Sequence, residues 1–160
     1  LVLPGVGSFG AAMNALEEQG LIDVLIERIR ARKPTLAICL GLQVLARESE
    51  ESPGVSGLGI LDVPVERFSQ SLVTPQLGWN LVEVNDSEVL PGRGYAYFAN
   101  SYCIRQVPEG WTPSLTSYGD EFCASVEDGG VLACQFHPEL SGQFGMQILE
   151  NWLEKGGITC

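Results

Sequence analysis

The stretch TLAICLGLQVL, residues 35–45, places a cysteine at the end of a short apolar run. Residues 35–38 predict a buried strand, and the remainder of the stretch after Cys39 predicts a helix. Small residues flank the cysteine at Ala37 and Gly41, which lets a sharp strand-to-helix turn close and exposes the side chain beyond the strand. The stretch therefore predicts a nucleophile elbow, with a helix dipole that favours the thiolate of Cys39.

An inert core cysteine is the alternative, because free cysteine is among the most buried residue types. The other four cysteines are more typical of core or surface positions than of a catalytic position. Cys134 falls inside a predicted strand, Cys103 and Cys123 lack small flanking residues, and Cys160 is terminal. Cys39 is therefore the candidate nucleophile.

The sequence on either side of the elbow predicts the fold. LVL predicts a strand, PGVG at residues 4–7 a turn, and the apolar residues of LIDVLIERI a helix that Pro34 ends. This β-α-β-α alternation favours a parallel sheet covered by helices. After a polar loop, SEESPGVSG, we predict strands at residues 60–65, 81–84, 95–98, 122–126 and 131–136 and a helix at residues 145–155. Residues 1–160 are predicted to form one domain.

His137 is the only histidine, so cysteine–histidine chemistry within this chain must use it. It follows the strand predicted at residues 131–136. Residues two apart in an extended chain point to the same side, so Glu139 is expected to orient the imidazole while Pro138 fixes the chain between them. The alternative is a surface histidine beside a proline turn.

Thiolate attack on an amide creates an oxyanion that needs two hydrogen-bond donors. The elbow offers the backbone N–H of Leu40. The PGVG turn offers a second donor, Val6 or Gly7, because its glycines permit a close approach and a peptide flip. An ordinary turn is the alternative for PGVG.

Composition limits the classes of function. A net charge of −11 opposes binding to nucleic acids and anionic membranes. No apolar run approaches the ~20 residues that a membrane span needs, so a cytoplasmic protein is expected. Five widely spaced cysteines without C-x-x-C indicate neither a disulfide framework nor a zinc site.

Five motifs, LPGVGSFG, AICLGLQVL, PQLGWN, YFANSY and CQFHPELSG, follow one another in this order. Together they resemble the class I, triad-type glutamine amidotransferases. Within that family they are most similar to the branch that forms the glutaminase subunit of imidazole glycerol phosphate synthase in histidine biosynthesis. The resemblance spans essentially the whole chain. It implies an open, mostly parallel, flavodoxin-like α/β sheet with helices on both faces.

The resemblance also implies a mechanism. Cys39 would attack the carboxamide of L-glutamine, His137 would protonate the departing ammonia and activate water, and Glu139 would orient His137. The implied oxyanion hole consists of Leu40, Val6 and Gly7, and the implied substrate-binding residues are Gly5, Gly41, Gln43, Ser101 and Tyr102. Ammonia would pass to a (β/α)₈-barrel cyclase that makes imidazole glycerol phosphate, and hydrolysis would await the nucleotide substrate of that partner. No metal or organic cofactor is implied.

The sequence departs from the family pattern in several places. Ala37 stands where the elbow usually has Gly, Leu140 where this branch usually has Lys, and Asn100 where it often has His. The strand, helix and strand that usually precede the PGVG strand have no counterpart, which predicts an N-terminally truncated sheet with unpaired edges. Tyr97 is a candidate for the partner surface, and strand packing of the aromatic stretch Tyr95, Tyr97 and Phe98 is the alternative.

Two alternative functions remain, the first because of the missing strands and the second because other α/β families also carry an elbow. The first is a truncated, catalytically incompetent amidotransferase-like module that self-associates through unpaired sheet edges. The second is another elbow-type cysteine hydrolase that acts on peptides or γ-glutamyl substrates.

Overall fold

A computed structural model describes residues 1–157 of the chain. The strands are β1 (Val2–Leu3), β2 (Thr35–Ile38), β3 (Ala46–Ser49), β4 (Leu61–Arg67), β5 (Gln76–Val84), β6 (Gly94–Asn100), β7 (Tyr102–Cys103), β8 (Thr112–Tyr118), β9 (Asp120–Asp128) and β10 (Val131–Cys134). The helices are α1 (Phe9–Glu18), α2 (Ile22–Arg30), α3 (Leu40–Gln43) and α4 (Gly142–Lys155), with a short 3₁₀ helix at Pro138–Leu140.

Seven strands form one sheet in the order β1-β2-β10-β9-β8-β5-β6. The strands β1, β2 and β10 pair in parallel, and the pairings from β10 through β9, β8 and β5 to β6 are antiparallel. The predicted α/β class is confirmed, although the parallel part is smaller than predicted. The reason lies in the connections: β1 and β2 are joined through helices, whereas short turns join β8 to β9 and β9 to β10.

Helices cover both faces of the parallel part, as predicted. Successive side chains of β2 point to opposite faces of the sheet. Ala37 belongs to the apolar cluster that contains residues of α1 and α2. Leu36 and Ile38 belong to the other cluster, which contains Ile148 and Trp152 of α4. Strand β2, which leads directly into Cys39, is therefore buried on both faces.

The helix that follows the elbow is shorter than predicted. It ends at Gln43, and β3 begins at Ala46. The helix predicted through residue 45 is therefore wrong at its end, because a short apolar run fits a helix and a buried strand equally well. Strand β3 pairs with β4, which pairs with β7, and this second sheet places Tyr102 near the elbow.

None of the helices in residues 1–157 has the length and apolar character that crossing a membrane requires.

Candidate active site

Cys39 lies on a sharp turn between β2 and α3. Its backbone has φ +54° and ψ −107°, a conformation that a non-glycine residue rarely adopts and that is typical of functional turns. The amide of Cys39 donates to the carbonyl oxygen of Cys134 at 2.7 Å, which fixes the turn to β10. The strand, cysteine and helix of the predicted elbow are thus present in the predicted order.

Two glycines allow the PGVG turn to approach the elbow. A Cβ atom at Gly41 would lie 2.1 Å from the carbonyl oxygen of Leu3, and one at Gly5 would lie 2.8 Å from Cβ of Leu40. Real Cβ atoms do not come so close to other atoms, so only glycine fits at either position. The end of β1 is therefore held against the first turn of α3.

A cavity of about 370 Å³ lies in front of the sulfur. It brings together nine of the predicted site residues: Gly5, Val6, Gly7, Cys39, Leu40, Gln43, Ser101, Tyr102 and His137. Two predicted residues are not in its wall. Gly41 lines an apolar pocket on the other side of the PGVG turn, and Glu139 lies behind the imidazole. Gly41 admits the close approach of Leu3, and its predicted contact with the substrate stays a prediction.

His137 is held from both sides. Its Nδ1 lies 2.8 Å from Oε1 of Glu139, and its backbone amide donates to the carbonyl oxygen of Tyr97 at 2.9 Å. In residues 1–157 the other ring nitrogen, Nε2, makes no hydrogen bond, and the ring lines the same cavity as the sulfur of Cys39. The prediction that Glu139 reaches the imidazole because both lie in an extended chain is wrong. Pro138–Leu140 is a 3₁₀ turn, and the extended chain ends at His137.

Burial raises the pKa of the Cys39 thiol above its ordinary value. The backbone N–H of Leu40 and the side chain of Gln135 lower the pKa, whereas the charges of Glu139 and Glu51 raise it. The predicted effect of the helix N-terminus therefore does not determine the direction of the pKa shift. Helix α3 has only four residues, and desolvation outweighs its dipole. Attack by this sulfur would require a base to remove its proton, and the imidazole of His137 lines the same cavity.

The predicted oxyanion donors, Leu40, Val6 and Gly7, line the same cavity as Cys39. The N–H groups of Val6 and Gly7 make no hydrogen bond within the described part of the chain, and Gly7 has φ +103°. The Val6 side chain is 90% exposed. The turn is therefore fastened at Gly5, while its next two amides are available to a ligand.

Two polar residues at the site, Gln135 and Glu51, were missed by sequence reasoning. Gln135 contacts the sulfur of Cys39. The sequence held a signal for this contact, because Gln135 and His137 are two residues apart at the end of a strand and such side chains point to the same side. Glu51 lines the cavity, and its Oε2 accepts from the amide of Phe9 at 2.6 Å. A glutamate in the polar loop SEESPGVSG gives no such signal.

The departures from the family pattern lie in different surroundings. Asn100 and Leu140 line the cavity, and the side-chain amide of Asn100 donates to the carbonyl oxygen of Tyr102 at 3.0 Å. Ala37 is fully buried under α1 and α2. No group of three or more His, Cys, Asp or Glu side chains that could hold a metal ion occurs in residues 1–157.

Comparisons with known proteins agree with the geometry. A sequence model of the family "Glutamine amidotransferase class-I" matches residues 1–155. The imidazole glycerol phosphate synthase subunit HisH of Methanothermobacter thermautotrophicus is 46% identical over 157 residues, which are 96% of this chain and 78% of that protein. The chloroplastic imidazole glycerol phosphate synthase hisHF of Arabidopsis thaliana is 41% identical over 96% of this chain and 27% of its own length.

A solved structure shares the fold. A crystal structure described as a glutamine amidotransferase superposes with a TM-score of 0.74 at 28% sequence identity and covers 98% of this chain and 78% of its own. The match of the family sequence model and the identity to the two synthase proteins extend over nearly the whole chain. The chain therefore belongs to the class I glutamine amidotransferase family.

Proposed function

We propose that this protein is the glutaminase subunit of an imidazole glycerol phosphate synthase, and that it hydrolyses L-glutamine through Cys39, His137 and Glu139. The observation that carries the proposal is the shared cavity wall of the elbow cysteine and the histidine, with Glu139 behind the imidazole. The relatives named as synthase proteins support the choice of pathway.

The first half of the reaction releases ammonia. Nε2 of His137 takes the thiol proton of Cys39, and the thiolate attacks the side-chain amide carbon of glutamine. The oxyanion accepts hydrogen bonds from the amide of Leu40 and from Val6 or Gly7. When the C–N bond breaks, the imidazolium returns its proton to the leaving nitrogen, so ammonia and a thioester are formed.

The second half regenerates the enzyme. His137 removes a proton from water, which attacks the thioester carbon, and the thiolate leaves and is reprotonated. Glutamate is the second product. Glu139 accepts a hydrogen bond from Nδ1 of His137 throughout, which keeps Nε2 facing the sulfur and stabilises the imidazolium.

The walls of the cavity fit an amino acid. Oε2 of Glu51 is bound to the amide of Phe9, but its second oxygen makes no hydrogen bond in residues 1–157 and is available to the α-ammonium group of glutamine. Ser101, Tyr102 and Gln43 lie on the same wall and are the predicted binding residues for the rest of the substrate. Both N–H groups of the Gln43 side chain are used within the protein, which leaves its Oε1 as the atom that can accept from the substrate.

We assign the partner, a (β/α)₈-barrel cyclase, to one surface of the β5–β6 hairpin. The side chains of Leu77, Trp79, Tyr95 and Tyr97 share this surface, which we call the aromatic face. Trp79 is 54% exposed and packs edge-on against Tyr97 at 6.1 Å between ring centroids. Exposed apolar side chains grouped on one face are typical of interaction surfaces. The backbone of Tyr97 also holds His137, so the aromatic face adjoins the cavity.

The test is an assay of glutamate formation with the cyclase subunit and its nucleotide substrate, compared with the same assay without them. We expect glutamine hydrolysis in the complex and a loss of at least about 10³-fold in Cys39→Ser. Because the thiol must stay reduced, we expect the enzyme to work in the cytoplasm. Hydrolysis of γ-glutamyl peptides but not of glutamine would support another cysteine hydrolase. A self-associated mass without glutamine turnover would support the incompetent module.

A further inference from the structure

Gln135 forms a buried link between the nucleophile and the glutamine pocket. Its side chain is fully buried, its Nε2 donates to the sulfur of Cys39 at 3.6 Å, and its Oε1 accepts from Nε2 of Gln43 at 2.9 Å. The Gln43 amide also donates to the carbonyl oxygen of Tyr102 at 3.0 Å. Two acceptors around Gln43 fix the orientation of its amide, and this in turn orients Gln135 with its N–H toward the sulfur.

The pairing of the strands places Gln135 beside the nucleophile. In the parallel pair, Ala37 lies opposite Ala133 and Ile38 opposite Cys134, so the next residues along are Cys39 and Gln135. The amide of Gln135 donates to the carbonyl oxygen of Ala124 at 2.8 Å. The backbone on which this side chain stands is therefore fastened to β9 and lies alongside the elbow.

The hydrogen bond to sulfur changes in strength during the reaction. A neutral thiol is a weak acceptor, whereas a thiolate accepts a charge-assisted bond that is considerably stronger. Four titratable side chains line the cavity or act on the sulfur by charge: Tyr102, His137, Glu139 and Glu51. The two carboxylates oppose a negative charge on sulfur. Donors aimed at the sulfur are therefore required if a thiolate is to form in this buried place.

We propose that Gln135 is a positioning residue that favours the Cys39 thiolate and couples it to Gln43. A role for Gln135 in catalysis rests on the proposed glutaminase function. Its effect on the Cys39 thiol can be measured without that function. Gln43 donates to the carbonyl of Gln135, which polarises that carboxamide and strengthens donation from its N–H. Any change at Gln43 is thereby felt at the nucleophile.

The test measures the alkylation rate of Cys39 by iodoacetamide, with peptide mapping, between about pH 6 and 10. Iodoacetamide is small and reports the thiolate without needing a bound glutamine. The variants are Gln135→Met, Gln43→Met and the double variant. Gln76→Met is the matched control, because Gln76 is also buried, its Oε1 has no hydrogen-bond partner in residues 1–157, and it does not line the cavity.

We expect Gln135→Met to slow alkylation about tenfold at neutral pH, since one donor to a charged group is lost. The inflection of the pH profile should move to higher pH, and the rates should converge with wild type where every thiol is ionised. Gln43→Met should slow the reaction less. The double variant should be no slower than Gln135→Met, because Gln43 acts through Gln135. Gln76→Met should follow wild type.

Two results would overturn the proposal. One is a pH profile of Gln135→Met that matches wild type while its melting temperature falls, which would make Gln135 a packing residue only. The other is full additivity in the double variant, which would remove the coupling to Gln43. If Gln135→Met does not fold, the pH profile of Gln43→Met still tests the proposal, because that variant keeps Gln135. A Gln43→Met profile that matches wild type would then contradict the coupling. A failure of the proposed function would look different. The wild-type complex would then not hydrolyse glutamine, but Gln135→Met would still slow the alkylation of Cys39.

Discussion

Nδ1 of His137 and Oε1 of Glu139 lie 2.8 Å apart with a single residue, Pro138, between them. The contact is local in sequence, and one side of it is open to water. The Glu139 side chain is 49% exposed, whereas that of His137 is 12% exposed. Water therefore screens the carboxylate and limits what its charge contributes.

Replacing Glu139 tests its orienting role. We expect Glu139→Gln to lower kcat about 10- to 100-fold with little change in KM, because the imidazolium loses its charged partner but glutamine does not contact this residue. His137→Asn should lower kcat much further, since it removes the base itself. Steady-state kinetics in the complex with the cyclase measure both. A change confined to KM would contradict the assigned role of Glu139.

Gly41→Ala tests the contact between β1 and the elbow. The new Cβ would lie 2.1 Å from the carbonyl oxygen of Leu3, and a backbone atom cannot move aside cheaply. We expect a loss of about 3 kcal/mol or more in the free energy of unfolding, measured by urea denaturation. Gly156→Ala is the control, because the nearest atom to its new Cβ is 3.3 Å away, at the end of α4. Equal stabilities of the two variants would be inconsistent with the described contact.

The buried thiols predict a loss of stability at alkaline pH. Burial raises the pKa of Cys103 and of Cys123 to about 12. An unfolded thiol titrates near pH 8.5, so above that pH the folded chain holds more protons than the unfolded chain. The stability contributed by each thiol is therefore complete below about pH 8.5 and declines by about 1.4 kcal/mol per pH unit as the pH rises toward 12.

Denaturation curves between about pH 8 and 11 measure this decline. We expect Cys123→Ala to reduce the slope of unfolding free energy against pH by the contribution of one thiol. Val126→Ala is the matched control, because it removes buried volume from the same strand without removing a titrating group. An unchanged slope in Cys123→Ala would show that other groups control alkaline unfolding.

The proposed docking of a cyclase on the aromatic face can be tested by substitution. Trp79→Asp places a charge at the exposed centre of this surface, so we expect its Kd for the cyclase subunit to rise at least about tenfold. Val24→Asp is the control, since Val24 is equally exposed but lies on α2. Isothermal titration calorimetry gives both constants. Equal weakening by the two substitutions, or none by Trp79→Asp, would place the partner elsewhere.

The neighbourhood of Cys39 and His137 was predictable because each follows a buried strand, and the carboxyl ends of paired parallel strands meet at one sheet edge. The direction of the remaining strands could not be predicted, since apolar periodicity is the same for parallel and antiparallel pairing. The alignment of β2 with β10 is also invisible in a single sequence. Gln135 was missed for that reason, although the two parts of the chain that form its contact were both singled out.

The hydrogen bond between Gln135 and Cys39 joins residues that are 96 positions apart. During translation the cysteine therefore leaves the ribosome long before its donor, its base and the strand that buries it. In a nascent chain the Cys39 thiol lacks the hydrogen bond from Gln135 until β10 has emerged and paired with β2. The donor of Gln135 therefore reaches the sulfur of Cys39 only once β10 has paired with β2.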